Sequence, residues 1–371
     1  MNKDILCIGL MSGTSLDGID VAIIDINEND FKTIGFITVP YQEEIKIKIL
    51  ECSDLEKSNV QKICSLNVEV SYLYVDAIKE ALTKYEVDIQ DVSFIAMHGQ
   101  TIWHNPNQMD GYYSSTLQIG DPSVVAYAFN KDVVSNFRTM DMAAGGSGAP
   151  LMPYAHYLMF KHEHKKIAIQ NIGGIGNITC IDGENITAFD TGPGNMLIDG
   201  AMKILYQKAY DDNGNIALSG QVIKPVLNSL LEDEYLSLPY PKSTGREKYN
   251  NDYLNNIIKM CKKYSDKNED IITTITAYTA ETIIDQTKRF FSGIEKIVIA
   301  GGGANNKFIL KYLQDHLDCE VVKSDINDEM EAIGFALLGY ATLNNIPSNV
   351  KSVTGARESV ILGNITKAPL N

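Results

Sequence analysis

The stretch SGTSLDGID at 12–20 constrains this chain more than any other, because it sits between two apolar runs at 5–10 and 21–26. That pattern predicts strand, tight polar turn, strand. Gly13 and Gly18 permit positive φ and close backbone approach, and Ser12, Thr14 and Ser15 add hydroxyls to the turn's N–H groups. Such a turn suits phosphate oxygens. Asp17 and Asp20 would repel them unless a cation intervenes, so a metal–nucleotide is the natural ligand. A plain β-hairpin with a Gly-rich turn uses the same residues, and this stretch alone leaves both readings open.

Length asks for more than one core. At 371 residues two domains are the natural expectation. A net charge of −15 argues against a nucleic-acid partner and, more weakly, against an anionic membrane surface. No segment approaches the roughly 20 apolar residues of a membrane helix. Lys3, Asp4 and a short strand-like run do not make a signal peptide. The six cysteines are scattered without a CxxC pair, so reduced thiols and a cytoplasmic setting are expected.

Further along, apolar positions at Val60, Ile63, Leu66, Val70, Leu73, Ala77 and Leu82 predict an amphipathic helix over 59–84. Residues 92–97 read as a buried strand that delivers His98 to its C-terminal end, where ligands gather in α/β sheets. A second strand–turn–strand begins at 167, with its turn at 173–176. Two such units imply two similar lobes facing a cleft. Residues 208–253 are polar and turn-rich and read as a helical insertion. Helices are expected over 196–206, 274–291 and 329–343, and a strand over 296–300 runs into Gly301, Gly302 and Gly303. His162 and His164 fall in a Lys-rich surface stretch, and no HxxxH pattern points to a metal centre.

Several motifs recur in one order: HGQT at 98–101 with His104 and Pro106, QIGDP at 118–122, FRTMDMAAGGSGAP at 137–150, NIGGIGNIT at 171–179, FDTGPGN at 189–195, GGGAN at 301–305 and VTGA at 353–356. Together with SGTSLDGID they resemble the anhydro-N-acetylmuramic acid kinases, of the sugar kinase, hsp70 and actin superfamily. The set runs nearly end to end. The resemblance implies an α/β chain of two actin-like (ribonuclease H-like) lobes around a nucleotide cleft. The lobe boundary is expected near 140, giving lobes of 1–140 and 141–340, with 340–371 rejoining the first.

The resemblance also implies roles. ATP would be held by Ser12, Gly13, Thr14, Ser15, Leu16, Asp17, Gly18, Ile19 and Asp20, by Gly173, Gly174, Gly176 and Asn177, and by Gly301, Gly302, Gly303 and Asn305 near the adenine. Mg²⁺ would bridge the phosphates, with Asp17 or Asp20 reaching it through water. The sugar would meet His98, Gln100, Thr101, Arg138, Asp141, Asn195 and Glu331. Arg138 could grip a lactyl carboxylate with two parallel N–H bonds, although an Arg138–Asp141 ion pair is an equal reading of those residues. Asp190 before a Thr-Gly-Pro-Gly turn reads equally as a turn residue or a base, and the family's matching aspartate takes a proton from the nucleophile. Glu331 reads either as a helix-N-terminal acid or as a group approaching the sugar. Met97 stands where a small residue is expected and would reshape the pocket wall.

The implied reaction opens the 1,6-anhydro bridge with water and phosphorylates O6, giving N-acetylmuramate 6-phosphate and ADP in cell-wall sugar recycling. A second copy of the chain is the one protein partner considered. The competing reading is an ATPase or conformational switch on the same fold without sugar chemistry.

Overall fold

The structure, a computed structural model, describes residues 5–27, 30–109, 111–163, 165–326 and 329–370. His164, Lys3 and Asp4 lie outside the described residues. The chain divides into two compact units, residues 1–160 with 328–371, and residues 161–327. The boundary therefore falls after Phe160 rather than near 140, and the return begins at 328 rather than 340. The reason is the helix Met330–Leu343, whose many contacts with the first sheet carry the whole element into the first unit.

The first unit is built on strands β1 (Ile5–Ser12), β2 (Gly18–Ile26), β3 (Phe31–Pro40), β4 (Phe94–Asn105), β5 (Ser115–Ile119) and β6 (Asp132–Ser135). The second holds β7 (Ile167–Ile172), β8 (Ile175–Asp182), β9 (Asn185–Pro193), β10 (Lys296–Ala300) and β11 (Glu320–Lys323). The chain then returns to add β12 (Asn364–Thr366) beside β6 in the first sheet. The two sheets share one order. In the first, β3-β2-β1-β4-β6 runs antiparallel from β3 to β1 and parallel from β1 to β6. In the second, β9-β8-β7-β10-β11 repeats it. This is the ribonuclease H-like arrangement the motifs implied, present once in each unit.

Local sequence explains the elements. In the helix Val60–Lys84, Leu66, Val70, Tyr74, Ala77, Ile78 and Ala81 are buried at spacings of three and four, while Asn59 caps the start by accepting from Lys62 N. The helix Asn268–Phe290 is buried on most of its circumference. Thr273, Thr274 and Thr276 satisfy their buried hydroxyls by donating to carbonyls four residues back. Met97 is 1% exposed within the first core, so it fills that core rather than forming a pocket wall.

Two expectations about the first turn shift. The positive φ belongs to Leu16 at 61°, not to Gly13 or Gly18. Gly18 is needed for closeness instead, since a Cβ there would overlap Val39 O. Gly9 has the same role inside β1, where a Cβ would overlap Ala332 O of the returning helix. Gly9→Ala should therefore destabilise the protein by roughly 1–3 kcal/mol through overpacking. Gly13→Ala, whose Cβ would meet nothing nearer than 3.6 Å, should leave stability unchanged. Urea denaturation of both variants, compared by midpoint at constant slope, checks this.

Candidate active site

In the first unit the turn between β1 and β2 is braced from below. Ser12 is 1% exposed and its Oγ lies 2.6 Å from Tyr74 OH. Its hydroxyl is therefore turned into the core and is not presented to a phosphate. Gln100 is fully buried and donates from Nε2 to Gly13 O at 3.1 Å. Gln100 thus holds the turn's backbone, contrary to the expected sugar contact. Thr14, Ser15 and Asp17 are exposed on the turn, and Asp20 accepts from Thr38 Oγ1 at 2.6 Å.

His98, Arg138, Glu331 and Asp20 form one electrostatic group. His98 lies inside β4 rather than at its end, because β4 continues past it to pair with β5. Its Nε2 accepts from Arg138 Nε at 3.1 Å. That bond requires a neutral imidazole, and burial followed by the Arg138 charge hold its pKa well below the usual histidine range. Phe335 packs on the ring at 4.7 Å between centroids. Arg138 also donates from Nη1 to Gly148 O at 2.8 Å. Burial lowers its pKa to about 10, opposed by Glu331. Glu331 opens the helix Met330–Leu343 with its side chain accessible to solvent. The surrounding protein and then Asp20 raise its pKa, while Arg138 pulls it down. Thr101 accepts from Gln118 on the neighbouring strand.

Asp141 does not belong to this group. It is fully buried, and Oδ1 accepts from Asn349 Nδ2 at 2.8 Å and Thr354 Oγ1 at 2.7 Å. Its Oδ2 accepts from Gly148 N at 2.8 Å. Neither the expected sugar contact nor an ion pair with Arg138 fits those bonds. Asp141 anchors the C-terminal return. Asn349 belongs to none of the motifs and Thr354 lies in VTGA, but neither pairing with Asp141 is legible along the chain, the separations being 208 and 213.

In the second unit the turn between β7 and β8 is fastened by the helix Asn195–Tyr206. Asn195 N donates to Gly173 O at 2.7 Å, and Gly194 N and Met196 N donate to Gly174 O at 2.9 and 3.2 Å. The helix's first N–H groups thus satisfy the turn's carbonyls. Asn195 Nδ2 donates to Ile172 O at 3.1 Å. One of the Asn195 amide hydrogens is thus held within its own turn, and the side chain is half-buried. Gly176 and Asn177 follow in β8, where Asn177 pairs opposite Asp190 of β9.

Asp190 is half-buried near the end of β9. Its Oδ2 accepts from Thr244 N at 3.0 Å. Burial, chiefly, raises its pKa to about 6, with Glu247 adding and the Thr244 N–H opposing. Such a carboxylate can exchange protons near neutrality. Thr244 escaped sequence reading because it lies 54 residues away. Beyond β10, Gly301 adopts φ 77°, where a Cβ would overlap Asn171 Oδ1. A 3-10 turn Gly302–Asn305 follows, with Asn305 accepting from Lys323 Nζ at 2.7 Å. Asn306 then caps the helix Lys307–His316. Among the described residues no three His, Cys, Asp or Glu side chains form a metal cluster.

A family model described as anhydro-N-acetylmuramic acid kinase matches residues 5–368. The anhydro-N-acetylmuramic acid kinase of Clostridioides difficile (strain 630) is 46% identical over 378 aligned residues, covering 98% of each chain. That of Bacillus cereus (strain 03BB102) is 43% identical over 380, covering 98% of this chain and 99% of the relative.

The raised pKa of Asp190 gives a stability prediction. A carboxylate whose folded pKa lies above its unfolded value of about 3.9 adds stability below that value and loses it as pH rises through the folded pKa. For Asp190 that upper limit is about 6. At pH 8 its charge is a cost, and Asp190→Asn removes it. The variant should exceed wild type by on the order of 1 kcal/mol at pH 8, and the gain should vanish near pH 4. Thermal melts across that range check it.

Proposed function

This chain belongs to the anhydro-N-acetylmuramic acid kinase family, and from that premise we propose how its own residues divide the work. The activity is that of an ATP-dependent kinase acting on an amino sugar in anhydromuropeptide recycling. Asp190 is the base. It accepts a proton from a water that attacks C1 of the 1,6-anhydro sugar. The C1–O6 bond breaks, and the released O6 attacks the γ-phosphorus of ATP. The products are N-acetylmuramate 6-phosphate and ADP. The observation that carries this reading is Asp190 itself, a half-buried carboxylate with pKa raised to about 6 and one oxygen already held by a backbone N–H.

Arg138 binds the lactyl carboxylate. Its Nε and Nη1 are fixed by His98 and Gly148, which orients the guanidinium before the sugar arrives. Glu331 sits beside Arg138 and Asp20 and contacts the sugar from the helix start. The turn at 12–20 would offer backbone N–H groups to phosphate in the first unit; in the second, the turn at 173–177 would do the same and Gly301–Gly303 would take the base and ribose. Asp17 or Asp20 would hold Mg²⁺ through water, since hard carboxylate oxygens suit that ion, and the ion would neutralise phosphate charge. The chain works in the cytoplasm, where ATP is available.

Coupled ADP release with 1,6-anhydro-N-acetylmuramate, followed by mass analysis, tests the reading. The product should be heavier than the sugar by one phosphoryl group and one water. A gain of the phosphoryl group alone would mean a plain sugar kinase, and no sugar dependence would mean an ATPase. Asp190→Asn should lower kcat by roughly 10²–10⁴-fold while ATP binding stays near wild type. A wild-type rate in that variant would remove Asp190 from the role of base.

A further inference from the structure

We infer that the segment Lys242–Thr244 is a positioning strap for Asp190, fixing the carboxylate so that Oδ1 is the oxygen that receives the proton. The inference rests on Asp190 being the base. Among the described residues β9 is the last strand of its sheet, and its outer backbone groups face no neighbouring strand. At Asp190 the strap and a nearby tyrosine fill that place. Asp190 N donates to Lys242 O at 3.2 Å, and Asp190 O accepts from Tyr235 OH at 2.7 Å. The side chain is then held by Thr244 N on Oδ2. The two backbone partners and the side-chain partner all come from residues 235–244, far along the chain from Asp190.

The strap is itself anchored. Lys242 Nζ donates to Tyr235 O at 3.0 Å and Leu236 O at 3.3 Å. It also lies over the rings of Tyr235 at 4.7 Å, Phe290 at 5.4 Å and Phe189 at 5.7 Å. Tyr240 stacks on Phe189 with ring centroids 5.6 Å apart. Beyond the strap, Lys248 Nζ reaches Asp233 Oδ1 at 2.6 Å, and the same oxygen accepts from Tyr235 N. Lys242 thus ties the strap to the short helix Glu234–Ser237, and Lys248 ties the chain beyond it to that helix's N-cap; the helix carries the tyrosine that holds Asp190 O.

The charges around the base are also set by these elements. The charge of Glu247, beyond the strap, raises the proton affinity of Asp190, and the Thr244 N–H lowers it. The Tyr235 hydroxyl faces it from the short helix, its own ionisation disfavoured by burial and by Asp190. Lys242 feels Asp285 and Arg289 from the helix Asn268–Phe290 and Asp233 from beside the short helix. A hydrogen bond on Oδ2 stabilises the carboxylate form and leaves the proton to Oδ1. A base fixed this way loses little orientational freedom in the transition state.

The test is the pH profile of kcat/KM for the anhydro sugar with MgATP. Thr244→Pro removes the N–H and should lower kcat about tenfold, moving the acid limb up by about one pH unit. KM for ATP should not change. Thr244→Ala keeps the N–H and should return the limb to its wild-type position. Lys242→Met removes the anchor and should lower kcat without altering KM for ATP, with Lys242→Arg restoring part of the loss. A folded Thr244→Pro enzyme with wild-type kcat and acid limb would overturn the proposal. Should that variant fail to fold, wild-type kcat and limb in Lys242→Met would overturn it equally. A wild-type rate in Asp190→Asn would instead overturn the base, so the two failures are separable.

Discussion

A carbonyl oxygen of the returning helix lies where a Cβ on Gly9 would have to go. That backbone-to-backbone contact, with Ala336 against the same glycine, lets Met330–Leu343 lie directly on β1. Gly339 repeats the device further along the helix, against Ala96 of β4. Small residues on both surfaces make close packing possible, and close packing gives dispersion contacts over the helix's length. The rest of the first unit follows from this. Only because the helix returns there does Glu331 stand beside Asp20 and Arg138. The segment beyond it can then place Asn349 and Thr354 on the buried Asp141.

Each unit solves the same problem with the same strand order but different braces. A tight turn that offers N–H groups outward must have its carbonyls satisfied inward. In the first unit a buried glutamine, Gln100, supplies a donor to Gly13 O. In the second the opening N–H groups of the helix Asn195–Tyr206 supply the donors, and Thr279 in turn fixes Gly194 O at 3.0 Å. Backbone donors are firmer than a side-chain amide, since they carry no rotamer freedom of their own.

The ionisable groups are tuned by neighbours from distant sequence. His98 is kept neutral by burial and then by the Arg138 guanidinium from which its ring nitrogen accepts, and Arg138 is oriented as the consequence. Asp190 is kept protonatable near neutrality by burial and by Glu247, against the pull of one backbone N–H. In both cases a side chain that might pair freely with solvent is restricted to one task by protein dipoles placed before any ligand arrives.

The strands around the turns, the long amphipathic helix and the family were legible in the sequence because their signals are local. Apolar runs, helical spacing from Val60 to Leu82 and fixed motif order need no knowledge of what lies opposite. The turn glycines and Asp190 were legible as candidates for the same reason. Partners were not. Ser12 and Gln100 read as ligand contacts until the fold turned Ser12 toward Tyr74 and Gln100 toward Gly13. Asp141 read as a sugar or arginine partner until its donors arrived from the C-terminal return. Thr244, Lys242 and Tyr235 carried no motif that tied them to Asp190. The sequence by itself determined which residue types could form phosphate turns and a base. The tertiary structure alone decided which polar atoms are already occupied by the protein, because a hydrogen bond is a matter of placement in space and not of order along the chain.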